Sequence, residues 1–457
     1  MSSFYFSKYT MVTPLGHTGQ YAVLSPLSGN FDLADDQEFN KLLDLKNNKI
    51  NAINNSSFVD YLLERGYAFN SKDEENALLN KKYNDFQKEI LRSQVQLLLI
   101  PAYTCNFNCI YCFQKDMNFT KNLIDTDTIT AFFNFIKSYF KDVKLKPFIT
   151  LFGGEPLINS PKHKGAIESI INNCADYNYE LSVVTNGYEI INYIDILKKA
   201  KIKEIQITVD GTAELHDKRR VSHDGGSTFS QIMDGVQALI DERIPVNFRV
   251  VVDKENLEDL VNLAELVEQK GWLNLDEEFF KTQIGRNYEL FDCCAKPEHL
   301  LSQLDLWKEY VNLANRSPVL KKFHKPQFKG VRHLVDTGEM YMPSFDTCPA
   351  LKTEWVFDLK GDIYGCTASC GREELKVGTF SPDVKLFDQE IALWQNRNIL
   401  NMKECADCAS ALTCGGGCGV IARNKNGSIL AGDCRPTNEL IELGINYYAE
   451  EILRAYP

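Results

Sequence analysis

Six short apolar runs recur between residues 95 and 282, each followed by a stretch with helical periodicity. The runs are 95-VQLLLIP, FITLF from 148, LSVVT from 181, EIQITVD from 204, VNFRVVV from 246 and EEFFKT from 277. Helix-like stretches fill 124–140, 164–176, 189–200, 228–241 and 256–269, and 298–315 follows the last run. Strands that alternate with helices build βαβ units and a parallel sheet. The fold class expected is therefore α/β, a partial (β/α)6 TIM barrel over residues 95–320. Barrels of this kind carry their chemistry at the C-terminal ends of the strands. A cysteine loop follows the first strand here, GGEP the second, NG the third and DG the fourth.

The cysteine loop, 101-PAYTCNFNCIYCFQ-114, spaces its thiols C-x3-C-x2-C. A structural zinc site wants four ligands and a disulfide two, so three thiols fit neither. On a cubane they leave one iron open to a small chelating ligand. The chain has 14 cysteines in 457 residues, and MSSFYFSKYT lacks the basic region and apolar run of a secretion signal. The cysteines accordingly read as metal ligands in a reducing cytoplasm. A net charge of −12 argues against a nucleic-acid partner. No apolar run is long enough to span a membrane.

The loop, together with 152-FGGEP-156, 183-VVTNGY-188 and 209-VDGTAELHDKRR-220, resembles the radical S-adenosylmethionine (radical SAM) family. The resemblance implies that Cys105, Cys109 and Cys112 ligate a 4Fe-4S cluster whose open iron binds SAM. Gly153, Gly154 and Glu155 would hold the methionine amine, with Glu155 offering its carboxylate. Thr185 and Asn186 stand where the family contacts the ribose and methionine parts, and Arg220 would pair with the SAM carboxylate. The blander account of Arg220 is a solvated charge at a helix start. His216 and Asp217 are expected to order their loop rather than to do chemistry.

Eight more cysteines crowd the last quarter: Cys348, Cys366, Cys370, Cys405, Cys408, Cys414, Cys418 and Cys434. Eight thiolates fully ligate two cubanes. The run 405-CADCASALTCGGGCG-419, with Cys348 and 361-GDIYGCTASC-370 upstream and Cys434 downstream, resembles the SPASM extension of radical SAM enzymes that modify peptides. By that resemblance Cys405, Cys408, Cys414 and Cys434 hold a distal auxiliary cluster, and Cys418 joins Cys348 and Cys366 at a proximal one. Cys370 either completes the proximal set or stands by, leaving an open iron. Zinc in a four-cysteine set is the competing reading. Cys293 and Cys294 either reach the site or act as small buried hydrophobes.

Residues 1–94 carry no radical SAM motif. Alternating runs and two short helix-like pieces there faintly resemble winged-helix leader-recognition domains, which bind a peptide by strand addition; a structural appendage is the alternative. The expected domains are 1–94 (N-terminal α+β), 95–320 (radical SAM barrel) and 321–457 (SPASM, two auxiliary 4Fe-4S clusters). The reading as a whole is a radical SAM/SPASM peptide maturase that generates a 5′-deoxyadenosyl radical and crosslinks a precursor peptide, preferably through a cysteine thioether. SAM, three 4Fe-4S clusters and a flavodoxin- or ferredoxin-type electron donor are implied. An anaerobic sulfatase-maturing enzyme is the enzymatic alternative; those relatives place an aspartate base where Thr367 stands. A non-catalytic iron–sulfur electron carrier or peptide-binding protein is the alternative of another class.

Overall fold

The computed structural model describes residues 4–47, 56–114, 122–287, 290 and 297–456. Cys293 and Cys294 lie outside the described residues, as does most of the loop expected at 46–56. The chain divides into two compact units. One comprises Met1–Leu91, Lys325–Cys348 and Asn396–Pro457; the other, Arg92–His324 and Pro349–Gln395.

The first unit opens with five strands: β1 (Tyr5–Phe6), β2 (Met11–Pro14), β3 (Tyr21–Ser25), β4 (Asn30–Ala34) and β5 (Ala68–Phe69). β2, β3 and β4 form an antiparallel meander with β4 at one edge, and β1 pairs with β5. The helix Asp36–Lys46 starts at a capping box, with Asp35 accepting the Gln37 and Glu38 amides and Glu38 reaching back to the Asp35 amide. One apolar cluster joins Val23, Leu42, Leu45, Leu62 and Tyr67 within the N-terminal segment. A second joins Tyr9, Phe69, Phe345, Ile399, Met402 and Leu412, with Tyr83, Phe86, Cys405 and Cys408 packed against it. Tyr83 and Phe86, from the helix Lys72–Arg92, set their rings 5.2 and 5.6 Å from that of Phe345. The first ninety residues therefore share a core with the cysteine-rich C-terminal segment.

That C-terminal segment is further bound by one buried cation. Arg397 pairs with Asp346, donates through Nε to the Ile429 carbonyl at 2.8 Å and through Nη2 to the Gly416 carbonyl at 2.7 Å. Both charges are desolvated, so the pair holds only because its remaining donors are also satisfied.

The second unit is built on one sheet. Its strands are β6 (Gln96–Ile100), β7 (Phe148–Leu151), β8 (Leu181–Thr185), β9 (Ile202–Thr208), β10 (Val246–Val252), β11 (Phe280–Arg286), β12 (Glu354–Asp358), β13 (Asp362–Tyr364), β14 (Lys376–Thr379) and β15 (Lys385–Leu386). The order is β11-β10-β9-β8-β7-β6-β12-β13-β14-β15. β6 to β11 pair in sequence and in parallel, each from one of the six apolar runs. Helices cover one face: Trp355 and Phe357 meet Tyr139, Phe140 and Phe132, and Phe248 meets Trp272 and Phe323. The opposite face is polar, with Gln96 bonded to Thr150 and Asn247 to Glu204 and Gln283. β12 adds a seventh parallel strand beside β6, so 349–395, expected with the C-terminal domain, extends the barrel sheet.

Replacing Phe345 with Ala removes the ring that Tyr83 and Phe86 pack on. The expected cost is about 3–5 kcal/mol, read as a lowered denaturation midpoint. Leu91→Ala, at a 77% exposed position, should stay within about 0.5 kcal/mol of the parent.

Candidate active site at the C-terminal strand ends

The cysteine loop is held by backbone. Asn108 N–H donates to the Val221 carbonyl at 2.7 Å, Ile110 N–H to Arg219 at 3.0 Å, and His223 N–H to Asn106 at 3.0 Å. The segment after DG thus fixes the loop that carries Cys105, Cys109 and Cys112. From the other side comes 153–155. Gly154 N–H bonds the Ala102 carbonyl at 3.1 Å and Glu155 N–H the Thr104 carbonyl at 2.9 Å. A Cβ on Gly154 would stand 2.3 Å from the Thr104 oxygen and 2.4 Å from that of Tyr103. On Gly153 it would stand 2.5 Å from the Ala102 oxygen, at a φ of 133° that suits glycine. The two glycines were expected to let backbone approach a ligand. Here they let one loop approach the other.

Glu155 is 1% exposed and its carboxylate is fully engaged. Oε1 accepts from Thr185 Oγ1 at 2.7 Å and Leu157 N–H at 2.8 Å; Oε2 accepts the Asn186 N–H at 2.6 Å. Burial raises its pKa against these bonds. Asn186 in turn donates to Asn106 Oδ1 at 2.7 Å, inside the cysteine loop. The Glu155 carboxylate ties the ends of β7 and β8 together. Thr185 and Asn186 serve the same knot.

Arg220 is 7% exposed and lies just past the end of the helix Ala213–Arg219, not at a solvated helix start. Its Nη1 donates to the Tyr111 hydroxyl at 2.6 Å, and Tyr111 donates to Asp210. The guanidinium sits 5.9 Å from the Phe107 ring centroid. Its Nε is buried without a hydrogen-bond partner among the described residues. A buried cation with an unmet donor beside three thiols is what a carboxylate ligand requires. The residues present therefore fit SAM on a cluster at this loop. Neighbouring Arg219 gives its Nη1 and Nη2 to Asp253, at 2.8 and 2.9 Å, and its Nε too is buried without a hydrogen-bond partner among the described residues. His216 accepts the Asp210 N–H through Nδ1, and burial, aided by the Arg220 charge, lowers its pKa to about 3, so it is a neutral structural imidazole. Asp217 caps the helix Phe229–Asp241 through the Thr228 and Phe229 amides. Burial, then the Glu155 charge, pushes the Cys105 thiol up to about 12, although the Phe107 N–H reaches its sulfur at 3.3 Å. Ligation must therefore displace protons.

On β12 and the turn after β13 stands a second group. Asp358, at the C-terminal end of β12, accepts the Tyr103 hydroxyl at 2.9 Å and the Lys360 amide at 2.9 Å; burial raises its pKa to about 6. Cys370 is 0% exposed, donates to the Thr367 carbonyl at 3.0 Å and lies 3.8 Å from Gln114 Nε2; burial pushes its thiol up to about 12. The Cys366 N–H donates to the Ser369 hydroxyl at 3.1 Å. Glu354 accepts the amide of Thr367, the residue after Cys366, at 3.2 Å. Burial raises its pKa to about 7, leaving a carboxyl beside Cys366 able to take or give a proton near neutrality. Nothing in 354-EWVFD marked it. Tyr111 and Asp210 had more signal, as the aromatic before the last cysteine and the acid of DG.

In the first unit Cys405, Cys408, Cys414 and Cys434 converge. Burial raises Cys405 to about 11, with the charges of Cys414, Cys408 and Cys434 adding to it, and Cys434 feels Cys414 and Cys408 in turn. Among the described residues no three Cys, His, Asp or Glu side chains are grouped to hold a single metal ion. The donor set is four thiols and so fits a cubane's ligand count.

Residues 99–267 match the family described as the Radical SAM superfamily. A cysteine-type anaerobic sulfatase-maturating enzyme of Clostridium novyi (strain NT) is 24% identical over 72% of this chain and 88% of its own length. The radical SAM cyclopropyl synthase TigE of Paramaledivibacter caminithermalis is 23% identical over 90% of this chain and 84% of its own. Streptococcus suis SuiB bound to precursor peptide SuiA superposes with a TM-score of 0.55 over 94% of this chain and 99% of that one, at 16% identity, which shows the shared fold.

Gly154→Ala should force the cysteine loop off residues 153–155. Iron bound after anaerobic reconstitution should fall below that of the parent, as iron and sulfide analysis would show. Glu354 gives a pH signature. From about pH 4, the ordinary glutamate value, to about 7, its folded carboxyl is protonated and its unfolded one is not. Its stabilising contribution is therefore present in acid and lost as pH rises through that window. Glu354→Gln should remove that slope in denaturation midpoints compared with the parent.

Proposed function

We propose that this chain, which carries a radical SAM domain over residues 99–267, is a radical SAM peptide maturase that installs a crosslink in a ribosomally made peptide. The observation that carries the reading is the buried, partly unpaired Arg220 set against an interlocked three-cysteine loop. Cys105, Cys109 and Cys112 would hold a 4Fe-4S cluster and Arg220 the SAM carboxylate. Gly153, Gly154 and Glu155 would hold the SAM amine, through the Glu155 carboxylate and the backbone carbonyls of the two glycines. When bound, the cluster and SAM supply a 5′-deoxyadenosyl radical that takes hydrogen from an unactivated C–H bond. The protein's own work is to hold, orient and exclude water.

Cys405, Cys408, Cys414 and Cys434 would hold a distal auxiliary cluster, and Cys348, Cys366 and Cys418 a proximal one, with Cys370 as fourth ligand or bystander. A thioether needs a substrate thiolate and an acceptor for one electron. If Cys370 stands aside, Cys348, Cys366 and Cys418 would leave a coordination position for the substrate thiol, whose pKa metal coordination would lower. The N-terminal segment fits leader recognition: β4 is an edge strand, and a cavity of about 290 Å³ beside it is lined by Val23, Ala34, Leu42, Phe58, Tyr61 and Leu62. The peptide-bound SuiB fold supports a peptide substrate. Formylglycine formation is the second reading. Thr367 lacks the carboxylate it requires, yet Glu354 brings one to the Thr367 amide, and the sulfatase-maturating relative keeps this reading in view.

Two outcomes are expected. Cys105→Ala, Cys109→Ala and Cys112→Ala together should remove one cubane, retain the other two and abolish SAM cleavage, by iron analysis and chromatography of 5′-deoxyadenosine. Mass spectrometry of the modified peptide should show loss of two hydrogens and a cysteine resistant to alkylation. The same loss with the cysteine alkylated contradicts the thioether in favour of a carbon–carbon link, and an aldehyde trapped by a hydrazine reagent supports formylglycine.

A further inference from the structure

Between Cys414 and Cys418 run three consecutive left-handed glycines, Gly415, Gly416 and Gly417, at φ of 60°, 74° and 69°. Asp433 closes this span. Its N–H donates to the Gly416 carbonyl at 2.9 Å, and its Oδ2 accepts the Cys418 N–H at 3.2 Å. A Cβ on Gly417 would meet the Asp433 carbonyl oxygen at 2.3 Å. Asp433 directly precedes Cys434 and is 6% exposed, and its carboxylate braces the backbone at Cys418.

The same Oδ2 takes both Nε and Nη2 of Arg435, at 3.0 and 2.8 Å. Lys425 Nζ stands 3.9 Å from Oδ1. A further cation, Lys329, arrives on two successive left-handed non-glycine residues, Phe328 at φ 41° and Lys329 at φ 58°. Such strain persists only where the surrounding packing enforces it. Burial lowers the Lys329 pKa, and the neighbouring Cys414 opposes that, with Arg435 and Asp433 also in range. Arg435 in turn feels the charges of Cys418 and Cys414. Glu404, which accepts the Gly432 amide at 3.3 Å, adds a second carboxylate. Three cations thus gather around two carboxylates in a chain whose net charge is −12.

A four-thiolate cubane is anionic and gains a further negative charge on reduction, so nearby cations favour its reduced form and raise its potential. We infer that Arg435 raises the reduction potential of the cluster held by Cys405, Cys408, Cys414 and Cys434, and that Asp433 holds this effect in check. The inference rests on the proposed ligand set.

The test is a spectroelectrochemical titration, followed by electron paramagnetic resonance, of the full chain reconstituted in the Cys105→Ala, Cys109→Ala, Cys112→Ala background. Arg435→Gln should move one auxiliary couple to more negative potential. Asp433→Asn should move the same couple to more positive potential, and Arg435→Lys should stay near the parent. Opposite signs separate charge from loss of structure, since misfolding would lower iron content in both. An unmoved couple in Arg435→Gln, or shifts of one sign in both Arg435→Gln and Asp433→Asn, would overturn the inference. Should Arg435→Gln not load iron, Asp433→Asn decides: an upward shift supports it and none refutes it. A parent without auxiliary iron would refute the ligand set, and the inference with it.

Discussion

The backbone of residues 153–155 lies against that of residues 102–104 with no room for a side chain between them. Every other feature of the candidate site follows from this contact. It places the Glu155 carboxylate under the end of β8, where Thr185 and Asn186 bond it. Asn186 then reaches into the cysteine loop at Asn106, while the backbone of 219–223 holds the loop's far side. Three strand ends and one loop become a single hydrogen-bonded body, in which three thiols keep their spacing before any cluster arrives. Preorganisation of this kind is what a radical-generating site needs, since the protein's contribution is position and shielding.

Charge is apportioned just as tightly. Of the adjacent arginines, Arg219 gives both terminal nitrogens to Asp253 and completes the scaffold, whereas Arg220 gives Nη1 to the Tyr111 hydroxyl; the Nε of each is buried without a hydrogen-bond partner among the described residues. A desolvated, unmet donor is costly. It is tolerated where a ligand supplies the missing acceptor, and a carboxylate does so with the right sign. The first unit shows the converse: Arg397, matched by Asp346 and backbone carbonyls, is structural, while Arg435, paired with Asp433, stands one residue past Cys434.

The barrel was legible because periodicity survives translation into structure. All six apolar runs became adjacent parallel strands, and GGEP, NG and DG fell at their C-terminal ends. The three-cysteine spacing pointed to the site because coordination chemistry restricts ligand number. What the sequence withheld were relations between distant segments. Nothing in 354-EWVFD announces a strand that extends the barrel sheet or a glutamate that reaches Thr367. Nor does the helix Lys72–Arg92, polar along most of its length, announce that Tyr83 and Phe86 pack on Phe345 beside Cys405 and Cys408. The motif glycines also meet a need that the motif does not announce, the close approach of residues 153 and 154 to the backbone of residues 102–104.

The central claim is that the three-cysteine loop and Arg220 form a site where SAM is bound and cleaved. Its most direct test is to reconstitute the wild-type chain anaerobically with iron and sulfide, add SAM and a low-potential reductant, and quantify 5′-deoxyadenosine. The account predicts that it accumulates alongside an equal amount of methionine. Intact SAM over a protein loaded with three clusters would contradict it.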